Sequence, residues 1–179
     1  MVMNEKQAIA LLKKYSKGDE KVFKLVLNHS KAVQKVALDL SKNIPGIDLN
    51  LIKIGSLLHD IGRFGCPPRT ELSIRHGIRG AEILRKEGYK ELARIAERHL
   101  GAGISKEDIE EQNLNLPKRD FMPLTKEEKI IACADNFVFG KRIGTIEEVV
   151  RRFSKEVSPK IGKRAKDLYD ETLSWKKAK

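Results

Sequence analysis

Apolar residues recur at intervals of three and four along nearly the whole chain, and no stretch shows the strict alternation and hairpin punctuation of paired strands. The pattern predicts an all-α protein. A first helix is expected from about Asn4 to Tyr15, with Asn4 as its cap and Ser16-Lys17-Gly18 as its end. A second, from about Asp19 to Asn43, places Val22, Val26, Val33, Val36, Leu40 and Ile44 on one stripe before Pro45-Gly46 stops it.

The third helix should open after Asp48, carry Leu51, Ile54, Leu57 and Leu58, run on through His59-Asp60-Ile61 and close at Gly62. Gly62, Gly65 and Pro67-Pro68 mark a loop over residues 62–72. Helices follow at about 73–87, 89–100 and 105–112, with an irregular piece around Pro117 and Pro123. Thr125 and Glu128 form a capping-box pattern in front of Ile130, Ile131, Ala134 and Val138. Two last helices, about 145–156 and 159–176, complete the chain, the second with Pro159 in its first turn.

The length of 179 residues suits a single domain over 1–179 with a proper core. Hydrophobic residues at 40% and charged residues at 34% exclude a disordered chain. The opening residues lack a basic segment followed by an apolar run, and no stretch is apolar enough to span a bilayer, so a cytoplasmic protein without membrane association is expected. Cys66 and Cys133 are too few and too far apart for a disulfide framework or a CxxC metal motif.

The formal net charge of +11 would attract anionic partners. Twelve Lys and Arg against six Asp and Glu lie from Lys141 onward, which concentrates the excess in basic C-terminal helices at about 145–177. No known nucleic-acid motif accompanies them, so RNA ranks as a partner below a phosphorylated small molecule.

All four histidines fall in one ordered series with two aspartates: His29, His59-Asp60, His76, His99 and Asp135. His29 shares its helix's apolar stripe, and His99 lies with Leu92, Ile95 and Ala96. Asp135 sits inside Ile130-Ile-Ala-Cys-Ala-Asp135, where a core-facing carboxylate needs a cation or several donors. Inward imidazoles and carboxylates on different helices fit a metal site built within a bundle. Such ligands without thiolate suit Fe, Mn, Co, Ni or Zn.

At His59-Asp60-Ile61-Gly62, with His29 before it and Asp135 after, the chain resembles the HD-domain superfamily of metal-dependent phosphohydrolases in its HDIG form, over about residues 20–150. The resemblance implies a helical bundle with an interior metal site. It also implies that His29, His59, Asp60 and Asp135 hold one divalent ion and that Asp60 bridges to a second held by His76 and His99. Hydrolysis of a phosphate mono- or diester by metal-activated water would follow, on a nucleotide or related small molecule.

Asp60 and Arg63 are the residues it implies for catalysis, Arg63 standing where many relatives carry a phosphate-contacting lysine; an arginine there offers a planar fork. Arg69, Arg75, Arg79, Lys141 and Arg142 are further phosphate candidates. The chain departs from the pattern of many two-metal relatives at Arg98, which precedes His99 where they pair two histidines. Two alternatives are a non-catalytic module that binds metal and nucleotide, and an enzyme that processes RNA ends or cyclic phosphates.

Overall fold

Short side-chain caps start most of the helices. In the computed structural model, which describes residues 3–176, Asn4 accepts from the Gln7 backbone while the Gln7 side chain accepts from Asn4, opening α1 (Glu5–Tyr15). Asp19 and Asp48 cap α2 (Glu20–Ser41) and α3 (Leu49–Leu58). The chain continues through α4 (His76–Lys86), α5 (Lys90–Arg98), α6 (Lys106–Glu111) and α7 (Lys126–Asn136). A two-residue antiparallel pair, β1 (Val138–Phe139) with β2 (Arg142–Ile143), leads to α8 (Ile146–Glu156) and α9 (Pro159–Ser174).

The central element is α3. It is apolar around most of its circumference, with Ile52, Ile54, Leu57 and Leu58 buried, and it packs against α1, α2, α5 and α7. Such a helix must be enclosed, because each buried Leu or Ile side chain stabilises the fold by about 1.5–3 kcal/mol. Gly55 allows the closest approach, since a Cβ there would lie 2.7 Å from Ile95 and 2.8 Å from Ile131. The α8–α9 pair rests on α7 through Cys133, Phe137, Val149, Ala165 and Leu168. Both cysteines are free and buried.

Several expectations need correction. The helical reading missed the β1–β2 hairpin, whose strands are too short to show an alternating pattern. α3 ends at Leu58, and His59 and Asp60 lie in the turn that leads into a 3-10 segment at Ile61–Phe64. On α2 the buried stripe is Phe23, Val26, Ser30, Val33, Ala37 and Ser41, rotated from the expected one, which leaves Val22, Val36 and Leu40 half-buried. The Thr125 box is half-formed: Thr125 accepts from Glu128 N, but the Glu128 carboxylate takes Arg94, Arg98 and Leu124 N instead. Among the described residues no helix is long and apolar enough to cross a membrane.

Buried carboxylates hold the irregular stretch between α5 and α7. Glu97 receives Arg85 and Arg119, both at 2.8–2.9 Å, and Asp108 receives both nitrogens of the Arg164 guanidinium. Planar, two-point contacts of this kind suit arginine. They fix residues 105–119 against α5 and α9, next to the histidines.

Candidate metal centre

Three helix C-termini converge on one point. His59 is the residue after α3, His99 is the residue after α5, and Asp135 is in the last turn of α7. Their outward carbonyl dipoles make this a region of negative potential that favours a cation. Asp60 follows His59 in the turn, His76 opens α4, and His29 reaches in from the middle of α2. The six predicted residues therefore meet.

Asp60 divides them into two sets. Its Oδ2 lies 3.6 Å from His29 Nε2 and 3.8 Å from His59 Nε2, while its Oδ1 lies 3.0 Å from His76 Nε2 and 3.5 Å from His99 Nε2. Asp135 Oδ1 completes the first set, 2.9 Å from His29 and 3.7 Å from His59. Ligand atoms of His29, His59 and Asp135, and of His59, Asp60 and His99, lie close enough together to hold an ion.

Backbone carbonyls decide the histidine tautomers. Nδ1 lies 2.7 Å from Ser56 O in His59, 2.6 Å from Ser73 O in His76 and 2.8 Å from Ala96 O in His99. A carbonyl oxygen can only accept, so each Nδ1 carries a proton, and in the neutral ring each Nε2 turns a lone pair toward the cluster. His59 Nε2 is fully buried and has no hydrogen-bond partner among the described residues. His76 Nε2 and His99 Nε2 stand 3.0 Å apart, so that with both rings neutral two lone pairs face each other. That arrangement is repulsive unless a positive charge serves both, and an unpartnered buried acceptor carries its full desolvation penalty. The buried donor set fits divalent metal of the HD type.

The charges are strongly coupled. Burial disfavours protonated His29, but its hydrogen bond to Asp135 and the charges of Asp135 and Asp60 outweigh this and raise its pKa to about 9. Burial lowers the pKa of His99 to about 4, against the opposing hydrogen bond to Asp60 and with the charges of His59 and His76 acting in the same direction, so this imidazole is neutral near pH 7. Burial works against ionised Asp60 and Asp135, yet the surrounding histidines hold both carboxyls well below the usual range.

Glycines let the second set assemble. A Cβ on Gly62 would fall 1.9 Å from His76 O and 2.6 Å from Gly80 N, so only glycine allows the turn after Asp60 to lie directly on the start of α4. A Cβ on Gly77 would lie 2.8 Å from Ala96 O, the carbonyl that holds His99.

Arg63 binds the cluster through Nε to Asp60 Oδ1 at 3.2 Å, and its Nη1 donates to Ser73 Oγ at 3.0 Å. It lines cavities of about 510 and 490 Å³ on two sides of the centre, and so does Asp135. The other basic candidates line neither. Arg75 bonds Asn115, Arg79 pairs with Glu82 and Arg142 with Glu148, while Arg69 and Lys141 are exposed. Arg98 donates to Glu128 and ties α5 to α7, so its place before His99 reflects packing. Sequence reasoning missed Ser56, Ser73 and Ala96. Their contribution is mainly a backbone carbonyl, which residue type does not reveal.

The chain belongs to the HD-domain family, whose match covers residues 26–139. Members of that family are mostly metal-dependent phosphohydrolases. An uncharacterized protein of Methanocaldococcus jannaschii is 47% identical over 137 residues, 74% of this chain and 77% of that protein. Two proteins named tRNA (cytidine(56)-2'-O)-methyltransferase are also similar. That of Picrophilus torridus is 38% identical over 97% of this chain and that of Thermoplasma volcanium is 36% identical over 87%, yet the chain spans only 47% and 43% of their lengths. The HD domain of the L. monocytogenes phosphodiesterase PgpH, solved with cyclic-di-AMP, shares the fold, with a TM-score of 0.55 and 20% identity over 92% of this chain and 95% of that one.

Proposed function

We propose that this protein is a metal-dependent phosphohydrolase that cleaves a phosphate ester of a nucleotide or related molecule, with two ions held by the divided cluster. The observation that carries the reading is the division itself. One carboxylate, Asp60, offers a separate oxygen to each set, and the second set includes two imidazole lone pairs in contact. His29, His59, Asp60 and Asp135 would hold the first ion, and Asp60, His76 and His99 the second. The chemistry supplied by divalent metal here is Lewis acidity, which brings the pKa of water toward neutrality and offsets charge on phosphoryl oxygens.

The chain's own residues supply orientation and charge. The three Nδ1–H to carbonyl bonds keep the rings from turning, and they raise the basicity of the opposite nitrogens. Arg63 has two of its five N–H donors on Asp60 and Ser73, which sets its plane at the meeting of both cavities. The remaining donors would bind phosphate oxygens and resist the loss of geometry that a flexible lysine would bring.

Purified protein loaded with Mn, Fe, Co or Ni should turn over members of a nucleotide and cyclic-phosphate panel. Asp60→Ala should abolish that turnover, and undiminished activity in the variant would reject the proposal. A second reading, that the ester lies at an RNA end, is favoured by the two relatives named as tRNA methyltransferases. PgpH, named as a phosphodiesterase and solved with cyclic-di-AMP, supports a diester substrate in the same panel.

A further inference from the structure

An alternating stack of guanidinium groups and aromatic rings leads away from the metal cluster. Phe153, on α8, lines the larger cavity together with His76, His99 and Asp135. The Arg152 guanidinium lies 4.9 Å from the Phe153 ring centre and 4.4 Å from that of Phe139, and Arg142 covers Phe139 at 4.9 Å. The order from the cavity is Phe153, Arg152, Phe139 and then Arg142, which is itself paired with Glu148. The stack crosses from α8 to the β1–β2 hairpin.

Two features distinguish this stack from ordinary hairpin packing. Arg152 donates to the backbone carbonyl of Asn136 rather than to a carboxylate, so its charge remains uncompensated by direct pairing. Lys141, Arg151 and Lys155 form no ion pair with any described residue, and all three are exposed. On a helix, positions 151, 152 and 155 share one arc, so the two exposed charges flank Arg152. An aromatic ring that lines the cavity, a guanidinium without a carboxylate partner and nearby unpaired cations are features that bases and phosphates of a single strand recognise. A free mononucleotide would reach only the inner ring.

We propose that the phosphate ester brought to this centre is at the end of a single-stranded oligonucleotide, whose adjacent nucleotides leave over Phe153 and run along Arg152 and the β1–β2 hairpin at Phe139. The proposal rests on the phosphoester reading of the metal centre and specifies its substrate class. The larger cavity supports it, because Leu100, Ala102, Leu114 and Val157 give it an apolar wall suited to a base. The basic excess of the last 39 residues, twelve cations against six carboxylates, then has a partner: the phosphates of the strand.

The test is binding of 5'-fluorescein-labelled oligouridylates ending in a 3'-phosphate, from one to six nucleotides long, to the full Mn-loaded chain, read as fluorescence anisotropy. Affinity should rise at least about tenfold between the shortest and longest strands, since stacking is sequence-tolerant and acts base by base. A combined Phe139→Leu and Arg152→Gln variant should lose most of that rise. If that variant fails to fold, the exposed pair Arg151→Gln and Lys155→Gln supplies the test. Its affinity for the longest strand should depend less steeply on salt, with the logarithmic slope reduced by roughly 0.7 for each phosphate contact removed.

Length-independent affinity, or parental binding of the longest strand by both variants, would overturn the proposal, as would tighter binding of a duplex of equal length. Because anisotropy reads binding, an inactive centre does not affect this result. Turnover of mononucleotides with flat length dependence would overturn the strand track alone.

Discussion

His76 and His99 turn their Nε2 atoms toward each other at 3.0 Å, each ring held in place by a carbonyl three residues upstream. Residues 23 positions apart are thus held in an arrangement that opposes itself in the absence of a cation. Replacing one ring with a neutral apolar side chain should remove the second ion and the repulsion together. His99→Leu should lower bound metal by one ion per chain, measured by plasma mass spectrometry after reconstitution. After chelation the same variant should lose less Tm than the loss of its bond to the Ala96 carbonyl alone would cause, because the Nε2–Nε2 repulsion is removed with it.

Metal uptake should displace a proton from His29. With its pKa raised to about 9, His29 is protonated at pH 7.5 in chelated protein, and a ligand imidazole must be neutral. Affinity should therefore increase with pH, by about tenfold for each unit below about 9, and then level off. Titration calorimetry in buffers of different ionisation enthalpy should report the released proton. Asp135→Asn removes the charge that sustains the high pKa, and the proton release attributable to His29 should disappear with it.

Gly62→Ala tests the glycine of the His59-Asp60-Ile61-Gly62 tetrad. Its Cβ would meet the His76 backbone at 1.9 Å, a clash that no rotamer can relieve. The expected destabilisation is about 3 kcal/mol or more, in the range of severe overpacking. Occupancy of the second ion should fall before that of the first, because His76 belongs to the second set. Metal content measured at a temperature where the variant is folded distinguishes local displacement from global unfolding.

Asp108 should make a stability contribution that disappears in acid. Burial alone would raise its pKa, but Arg164 and the Ser105 backbone lower it to about 2, below the ordinary value of 3.8. A depressed carboxyl stabilises the folded state above its unfolded pKa and loses that effect as pH falls through the folded value. The gap in unfolding free energy between the parent and Asp108→Asn should be roughly 2 kcal/mol near neutrality. It should narrow as pH falls from about 4 to about 2. Chemical denaturation at successive pH values measures it.

Much of the helical scaffold was legible because its determinants are local. Asn4, Asp19, Asp48, Ser105, Thr145 and Ser158 cap helices within three residues of themselves, and Gly88 and Gly101 end or separate them at positive φ. The two-residue strands were not legible, since Val138-Phe139 and Arg142-Ile143 are too short for a period to register. On α2 the apolar pattern placed Val26 and Val33 correctly but missed Phe23, Ala37 and Ser41, which are buried beside Val22, Val36 and Leu40. The phase of the buried stripe depends on which face α3 and α7 cover, a long-range fact.

The sequence by itself marked the candidate metal ligands: four scarce imidazoles and two carboxylates in a recognisable order. Tertiary structure alone decided how they act. It set Asp60 between two groups of histidines, fixed the Nδ1–H of His59, His76 and His99 on carbonyls of Ser56, Ser73 and Ala96, directed Arg98 to Glu128, and aligned Phe153 with Arg152 and Phe139. Residue type fixes what an atom can donate or accept, whereas the direction it faces follows from packing between segments far apart along the chain.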